Sequence, residues 1–161
     1  MAKNIAPMMF AVCVLVAVSC GASPTAPAQT LPVTAIASFD ADGGTFAAET
    51  MLAIRDLPTW QNLWTQLNTG RVPQLPLPAV DFTTEMLAVV AMGVKPTTGF
   101  QVSVAGASEQ QGRVTVDVLE TSPGLCVTGQ VLTAPVIVSK LPVRPGPVTF
   151  KVTRRIVNCG S

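Results

Sequence analysis

Along this chain apolar residues recur at two spacings, and the change from one to the other marks out the elements. Residues 34–44, TAIASFDADGG, alternate weakly into an Asp-Gly-Gly turn, and TFAAETMLAIRD supplies a second strand. In DLPTWQNLWTQLNTG the spacing becomes helical, with Leu57, Trp60, Leu63, Trp64 and Leu67 on one face. Asp56 can cap this helix, Pro58 stands in the first turn where a missing N–H costs nothing, and Gly70 ends it. The predicted helix covers about residues 57–68, and a tryptophan stripe at this spacing predicts docking on a sheet.

After a proline-rich loop, RVPQLPLPAV, strands follow closely. MLAVVAMGV is almost unbroken in apolar residues and predicts a central strand covered on both faces. FQVSVAG and RVTVDVLET alternate, with Val114, Val116 and Val118 inward, and read as a hairpin joined through ASEQQG. VTGQVLTAPVIVSKLP predicts a strand interrupted at Pro135, the sign of a bulge or an edge. PVTFKVTRRIV closes the pattern with Val148, Phe150 and Val152 on one face. The expected fold is mainly β (a β-rich α+β class): an antiparallel sheet or sandwich of about six or seven strands with one packed helix.

Composition agrees, since 48% hydrophobic residues with 14 Pro and 12 Gly favour strands punctuated by turns over long helices. The chain holds no His, which removes His-based acid/base pairs, Ser-His-Asp triads and His-containing metal sites. Asp81 and Glu85 would share one strand face about 13 Å apart, too far for a carboxylate pair. Asp40 and Asp42 flank a turn and could bind a cation weakly, but beside Gly43 and Gly44 they read first as turn formers. No catalytic residue, metal ligand or cofactor is predicted, and the domain is not expected to be an enzyme. A net charge of +1 and the lack of basic runs interleaved with aromatics argue against nucleic acid. The charge is unevenly spread: all nine acidic residues stand at or before Glu120, while Lys140, Arg144, Lys151, Arg154 and Arg155 follow it. Either these cations form a face for an anionic partner, or they make a solvated strand surface, the reading favoured by five charges spread over two faces.

The N-terminus adds a location. Residues 1–19 carry one early Lys3, an apolar stretch from Met8 to Val18 and a small residue, Ser19, before Cys20. This is the pattern of a secretory signal, too short for a membrane span. AVSC resembles the lipobox of bacterial lipoproteins, although Ala17 stands where Leu is most common. The resemblance implies lipid attachment at Cys20 and a protein anchored to the cell envelope, the alternative being an ordinary signal peptide cleaved nearby. With Gly21 rather than Asp next, it implies the outer membrane of a Gram-negative host, or the cell surface otherwise. Residues 20–32 then read as a flexible tether and 33–161 as a single β-rich domain. Cys13 leaves with the signal, so Cys126 and Cys159 remain as an expected disulfide in an exported compartment. It would close a loop of about 33 residues and stabilise by roughly 3–4 kcal/mol on the chain-entropy model.

Taken in order, AIRDLPTWQNLWTQL, PAVDFTTEMLAVVAMGVKPTTGFQVSV, RVTVDVLETSPG and LTAPVIVSKLP resemble the C-terminal domain of PrcB, a lipoprotein subunit of a bacterial surface protease complex. The likeness spans about residues 45–150. Its markers are the Trp60/Trp64 helix, Asp81-Phe82, the turn from Gly93 to Phe100, and Ser122-Pro123-Gly124. Two departures are Thr98-Gly99-Phe100, where Gly-Gly-Tyr is common, and Pro135-Val136, where an aromatic often follows the proline. The resemblance implies a non-enzymatic accessory role, with a protein partner and a secreted protease as the specific expectation.

KPTTGF, residues 95–100, also resembles the N-P-T-T-G-[YF] loop of chagasin-type cysteine protease inhibitors, from which it differs at Lys95. Arg144-Pro145 would match a second inhibitor loop, but Gly146 stands where that loop has an aromatic. Protease inhibition is thus the alternative function. Pro96 restricts Lys95 to extended geometry and Gly99 can supply positive φ, so the six residues make a defined turn. Thr97 and Thr98 keep hydroxyls for backbone or partner hydrogen bonds. Lys95, Pro96, Thr97, Thr98, Gly99 and Phe100 are the candidate partner-binding loop, with residues 121–125 and 144–147 expected beside it.

Overall fold

The unbroken apolar run around residue 88 forms strand β4 (Glu85–Ala91), buried on both faces. Its Leu87, Val89 and Ala91 pack with helix α1 (Leu57–Leu67), while Met86, Ala88 and Val90 pack with a second sheet. The computed structural model describes residues 26–40 and 46–158. Within them the remaining strands are β1 (Gln29–Leu31), β2 (Thr34–Phe39), β3 (Thr50–Ile54), β5 (Gln101–Gln110), β6 (Arg113–Pro123), β7 (Val136–Pro142) and β8 (Val148–Val157). One sheet has the order β2-β7-β4-β3 and is antiparallel throughout; the other has the order β1-β5-β6-β8. In the second sheet β1, β5 and β6 pair antiparallel and β8 runs parallel to β6. The fold is mainly β, layered as helix, sheet and sheet, because β4 and β7 present apolar side chains in both directions.

The helix forms where its spacing predicts. Asp56 Oδ1 accepts the Thr59 N–H at 2.8 Å and Oδ2 accepts the Thr59 hydroxyl at 2.9 Å. Trp60, Leu63, Trp64 and Leu67 are buried, whereas Leu57 is left exposed at the start. The indole N–H groups of Trp60 and Trp64 donate to the carbonyls of Pro78 (3.2 Å) and Leu75 (3.1 Å). The proline-rich loop thereby closes over the helix, so the tryptophan stripe is core.

The cap has a pH signature. Hydrogen bonds from the Thr59 backbone and then its hydroxyl hold the Asp56 carboxyl below the usual carboxylate range. A depressed folded-state pKa contributes stability that is present above the unfolded pKa and lost as pH falls through the folded one. The melting midpoint of the wild type relative to Asp56→Asn is therefore expected to fall between about pH 5 and pH 2. A pH-independent difference in paired thermal melts would contradict this.

Four details differ from the sequence expectation. Gln29–Leu31, assigned to the tether, pairs with β5 as β1, and Leu31 is buried. The β5–β6 hairpin turns tightly at Gln111 (φ +50°) and Gly112 (φ +73°), so β5, with a register shift between Val104 and Gly106, runs on through ASEQ to Gln110. Pro135 does not interrupt a strand; β7 starts after it. The strands number eight among the described residues, against six or seven expected.

The two ends of the sandwich are distinct. Chain entry at Ala26, which accepts from Gln110 Nε2 at 3.1 Å, lies beside the hairpin turn. The 143–147 connection lies there too: Arg144 pairs with Glu109, and a Cβ on Gly146 would collide with the Gly112 carbonyl. Residues 93–100, 121–133 and the end of β8 occupy the opposite pole, about 30 Å away at some 3.3 Å per residue of β6.

Candidate functional site

At that far pole the KPTTGF turn is fixed by a second loop. Lys95 and Thr133 exchange backbone hydrogen bonds (Lys95 N to Thr133 O, 2.7 Å; Thr133 N to Lys95 O, 3.0 Å). Thr98 N–H donates to the Gly129 carbonyl at 3.0 Å, and Gly129 N–H donates to Thr98 Oγ1 at 2.8 Å. The Thr133 hydroxyl donates to the Thr97 carbonyl (2.9 Å), and the Thr97 hydroxyl to the Thr98 carbonyl (3.2 Å). Both threonine hydroxyls of the motif thus have partners inside the domain. Gly99 takes φ +94°, and a Cβ there would come within 3.1 Å of Pro123. Lys95 Nζ sits 5.8 Å from the ring centroid of half-buried Phe100, within cation–π range.

Thr98→Val, which keeps shape but removes the acceptor for Gly129 N–H, is expected to cost about 0.5–1.5 kcal/mol. Urea unfolding measures it, and an unchanged midpoint would mean that this clasp is not formed in solution.

Between the two loops lies an open cleft of about 230 Å³, lined by Thr98, Gly99, Gln101, Thr121, Ser122, Pro123, Cys126, Val127, Thr128 and Val157. Val127 and Val157 of its lining are exposed, and the segments of the same pole leave further apolar side chains in water: Val94, Leu125, Val131, Leu132 and Ile156. Leu125 is 86% exposed and Val127 is fully so. An apolar cluster of this kind at one pole, on loops clasped by backbone hydrogen bonds, suits contact with another protein.

The neighbouring loops are only partly as expected. Residues 121–125 do adjoin KPTTGF, with Pro123 against Gly99. Residues 144–147 do not: β7 and β6 span the sandwich between them and the cleft, and Arg55 holds that connection at the entry pole through Gly146 O at 2.6 Å. KPTTGF and Arg144-Pro145 therefore cannot form one wedge.

Cys126 is disulfide-bonded. Its Sγ lies 3.4 Å from the Val157 carbonyl, and Leu125 N–H donates to Asn158 Oδ1 at 2.9 Å, so the last described residues run past it. Cys159 lies outside the described residues, as do Cys20, Asp42 and the whole signal segment.

Carboxylates elsewhere are engaged structurally. Asp81 and Glu85 are not on one strand, since residues 81–84 form a turn, and Asp81 N–H approaches Glu85 Oε2 at 3.3 Å. Asp81 caps that turn, accepting from the Thr83 hydroxyl at 2.6 Å and its N–H at 3.0 Å; these bonds lower its pKa. The hydrogen bond from Lys140, with Nζ 2.8 Å away, lowers that of Glu85. Glu120, in phase with Val114, Val116 and Val118, points inward and is 3% exposed. Arg154 Nε donates to it at 2.9 Å, while Nη2 reaches both oxygens of Glu49 at 3.0 and 2.8 Å, joining the two sheets. Three of the five C-terminal cations (Lys140, Arg144 and Arg154) therefore have carboxylate partners from earlier in the chain.

Among the described residues, no three or more His, Cys, Asp or Glu stand together where they could hold a metal ion. No helix among them is long and apolar enough to cross a membrane.

The PrcB C-terminal family model matches residues 86–142, from β4 through β7. That span contains the Gly93–Phe100 turn, the β5–β6 hairpin and the 124–135 loop, so the resemblance holds for the residues that build most of the cleft. It is narrower than the 45–150 read from the sequence, leaving out the tryptophan helix and β8. No curated protein and no solved structure matches the chain.

Proposed function

We propose that this PrcB C-terminal-like chain is a non-enzymatic protein-binding lipoprotein of the bacterial envelope that acts as an accessory or stabilising subunit of a secreted or surface protease. The observation that carries the reading is the set of exposed apolar side chains at the pole that holds a hydrogen-bonded cleft, with fully exposed Val127 in the cleft wall. KPTTGF serves in it as the braced wall of the cleft, and the 124–132 loop supplies the apolar contact. A disulfide between Cys126 and Cys159 would tie the C-terminal end of β8 to that wall.

The anchor supports a protein partner over the bilayer. With lipid on Cys20, the roughly six residues to Ala26 reach at most about 20 Å. The cleft is about 30 Å from Ala26. On so short a tether the domain cannot invert fully, and an upright domain would hold the cleft pole away from the membrane, where a protein partner could reach it. The inhibitor alternative is weaker, because its two best loops lie at opposite poles.

Val127→Glu tests this. A fully exposed side chain can be changed with stability held within about 0.5 kcal/mol. Capture of a protease-complex protein by the tagged, lipidated chain in its native envelope is expected to drop at least about tenfold, the scale of one interface hot spot. Undiminished capture would remove the cleft from the proposal. Loss of papain-like activity on adding the wild-type protein would instead favour inhibition.

A further inference from the structure

Among the described residues strand β8 ends one sheet, and its ten residues, Val148–Val157, pair on one side only. The other edge of that sheet, β1, is three residues long. The ladder shows which backbone groups β8 leaves open. Val114 N–H donates to the Pro147 carbonyl at 3.0 Å and Gly124 N–H to the Val157 carbonyl at 2.8 Å. With the parallel register Val114↔Val148 to Pro123↔Val157, the two-residue repeat turns the N–H and C=O of 149, 151, 153, 155 and 157 toward β6. The N–H and C=O of 148, 150, 152, 154 and 156 point away from the sheet, and no described strand pairs with them.

The side chains beside this open ladder are specific in character. On the inner face Val148, Phe150 and Val152 are only half-buried, and Ile156 is 73% exposed. On the outer face Lys151 and Arg155 are exposed, and neither makes an ion pair with a described carboxylate, unlike Lys140, Arg144 and Arg154. A second copy added through its own β8 would bring the Lys151 and Arg155 of both chains onto one face, four cations against only the two Asp117 carboxylates that stand opposite Lys151 in β6.

From these we propose that the open edge of β8 takes up an extended segment of a partner protein as an added strand, apolar at the positions facing inward and acidic at the alternate positions facing Lys151 and Arg155. Backbone hydrogen bonds to the even-numbered residues supply the affinity, and the two cations set the choice of segment. This rests on the protein-contact reading of the cleft and deepens it, because Val157 at the end of β8 is part of the cleft wall.

The test uses the full-length lipidated chain in nanodiscs and a capped ten-residue peptide of alternating Glu and Val, with the Lys/Val peptide as its counterpart. The Glu peptide is expected to bind at least tenfold more tightly, and to slow amide exchange at residues 148, 150, 152, 154 and 156. The double variant Lys151→Glu, Arg155→Glu, both on exposed positions, is expected to reverse the preference. Equal binding of the two peptides, or no slowing at those five amides, overturns the proposal. So does a peptide-free dimer that already protects them, or their protection by anionic lipid in the nanodisc. If the peptide fails while Val127→Glu still removes native capture, the strand-docking idea falls and the cleft reading stands. If the peptide binds while Val127→Glu leaves capture intact, the converse holds.

Discussion

Trp60→Ala is expected to lower stability by about 3–5 kcal/mol, a large share of what a domain of this size possesses. The indole is fully buried, packs against Trp64 with ring centroids 5.1 Å apart, and donates to the Pro78 carbonyl. Its loss opens a cavity beneath the helix and frees the loop that covers it, so transfer, cavity and hydrogen-bond effects have the same sign. Leu57→Ala on the same helix, at an exposed position, is expected to change stability by less than about 1 kcal/mol. Urea unfolding of the two variants measures both, and similar midpoints would mean that α1 does not dock on the β2-β7-β4-β3 sheet as described.

Gly93→Ala is expected to be nearly as severe, at about 2–5 kcal/mol. Gly93 has φ +71°, where an L side chain costs about 1–2 kcal/mol. A Cβ there would lie 2.7 Å from the Ala48 carbonyl carbon and 2.8 Å from Glu49 N. Those are backbone atoms that cannot swing aside, so overpacking adds about 1–3 kcal/mol. Gly70→Ala separates the two causes, because its φ of +81° is similar while nothing lies within 4 Å. It is expected to lose only the backbone share. Equal thermal shifts for the two variants would show that the close approach at Gly93 is relaxed in solution. The effect bears on the site, since Gly93 opens the segment that carries KPTTGF and lies against the backbone beside Glu49, the partner of Arg154.

What could be read in the sequence depended on how local its cause was. The helix was legible because cap, spacing and stop all lie within residues 56–70. β4 was legible because burial on both faces leaves an unbroken apolar run. Period-two alternation assigned the inward faces of β6 and β8 correctly, yet it carries no information about partners, so the parallel pairing of these strands could not be read. The hairpin turn was missed because Gln111 is not a residue that announces positive φ. β1 was missed because three residues in a Pro, Ala and Thr-rich context look like a tether.

The site followed the same division. KPTTGF stood out by composition, but its clasp depends on Gly129 and Thr133, more than thirty residues on, so the sequence left its hydroxyls open where the fold uses them. The 144–147 loop was grouped with it by analogy, and the length of β7 carries that loop to the other pole. The exposed apolar residues of 125–132 went unremarked because an apolar side chain in a loop has no periodicity to violate. The uneven charge was visible, whereas its neutralisation across strands was not.

The most direct test of the central claim is photo-crosslinking in living cells from a photoreactive residue at position 127 of the full-length lipoprotein, with a second at exposed position 113 beside the hairpin turn as the control. The predicted result is a crosslink from 127, not from 113, to a protein of a secreted protease complex, together with a fall in that protease's activity or lifetime when the lipoprotein is deleted. Crosslinks from 127 only to lipid, or a protease whose activity and lifetime are unchanged by the deletion, would contradict it.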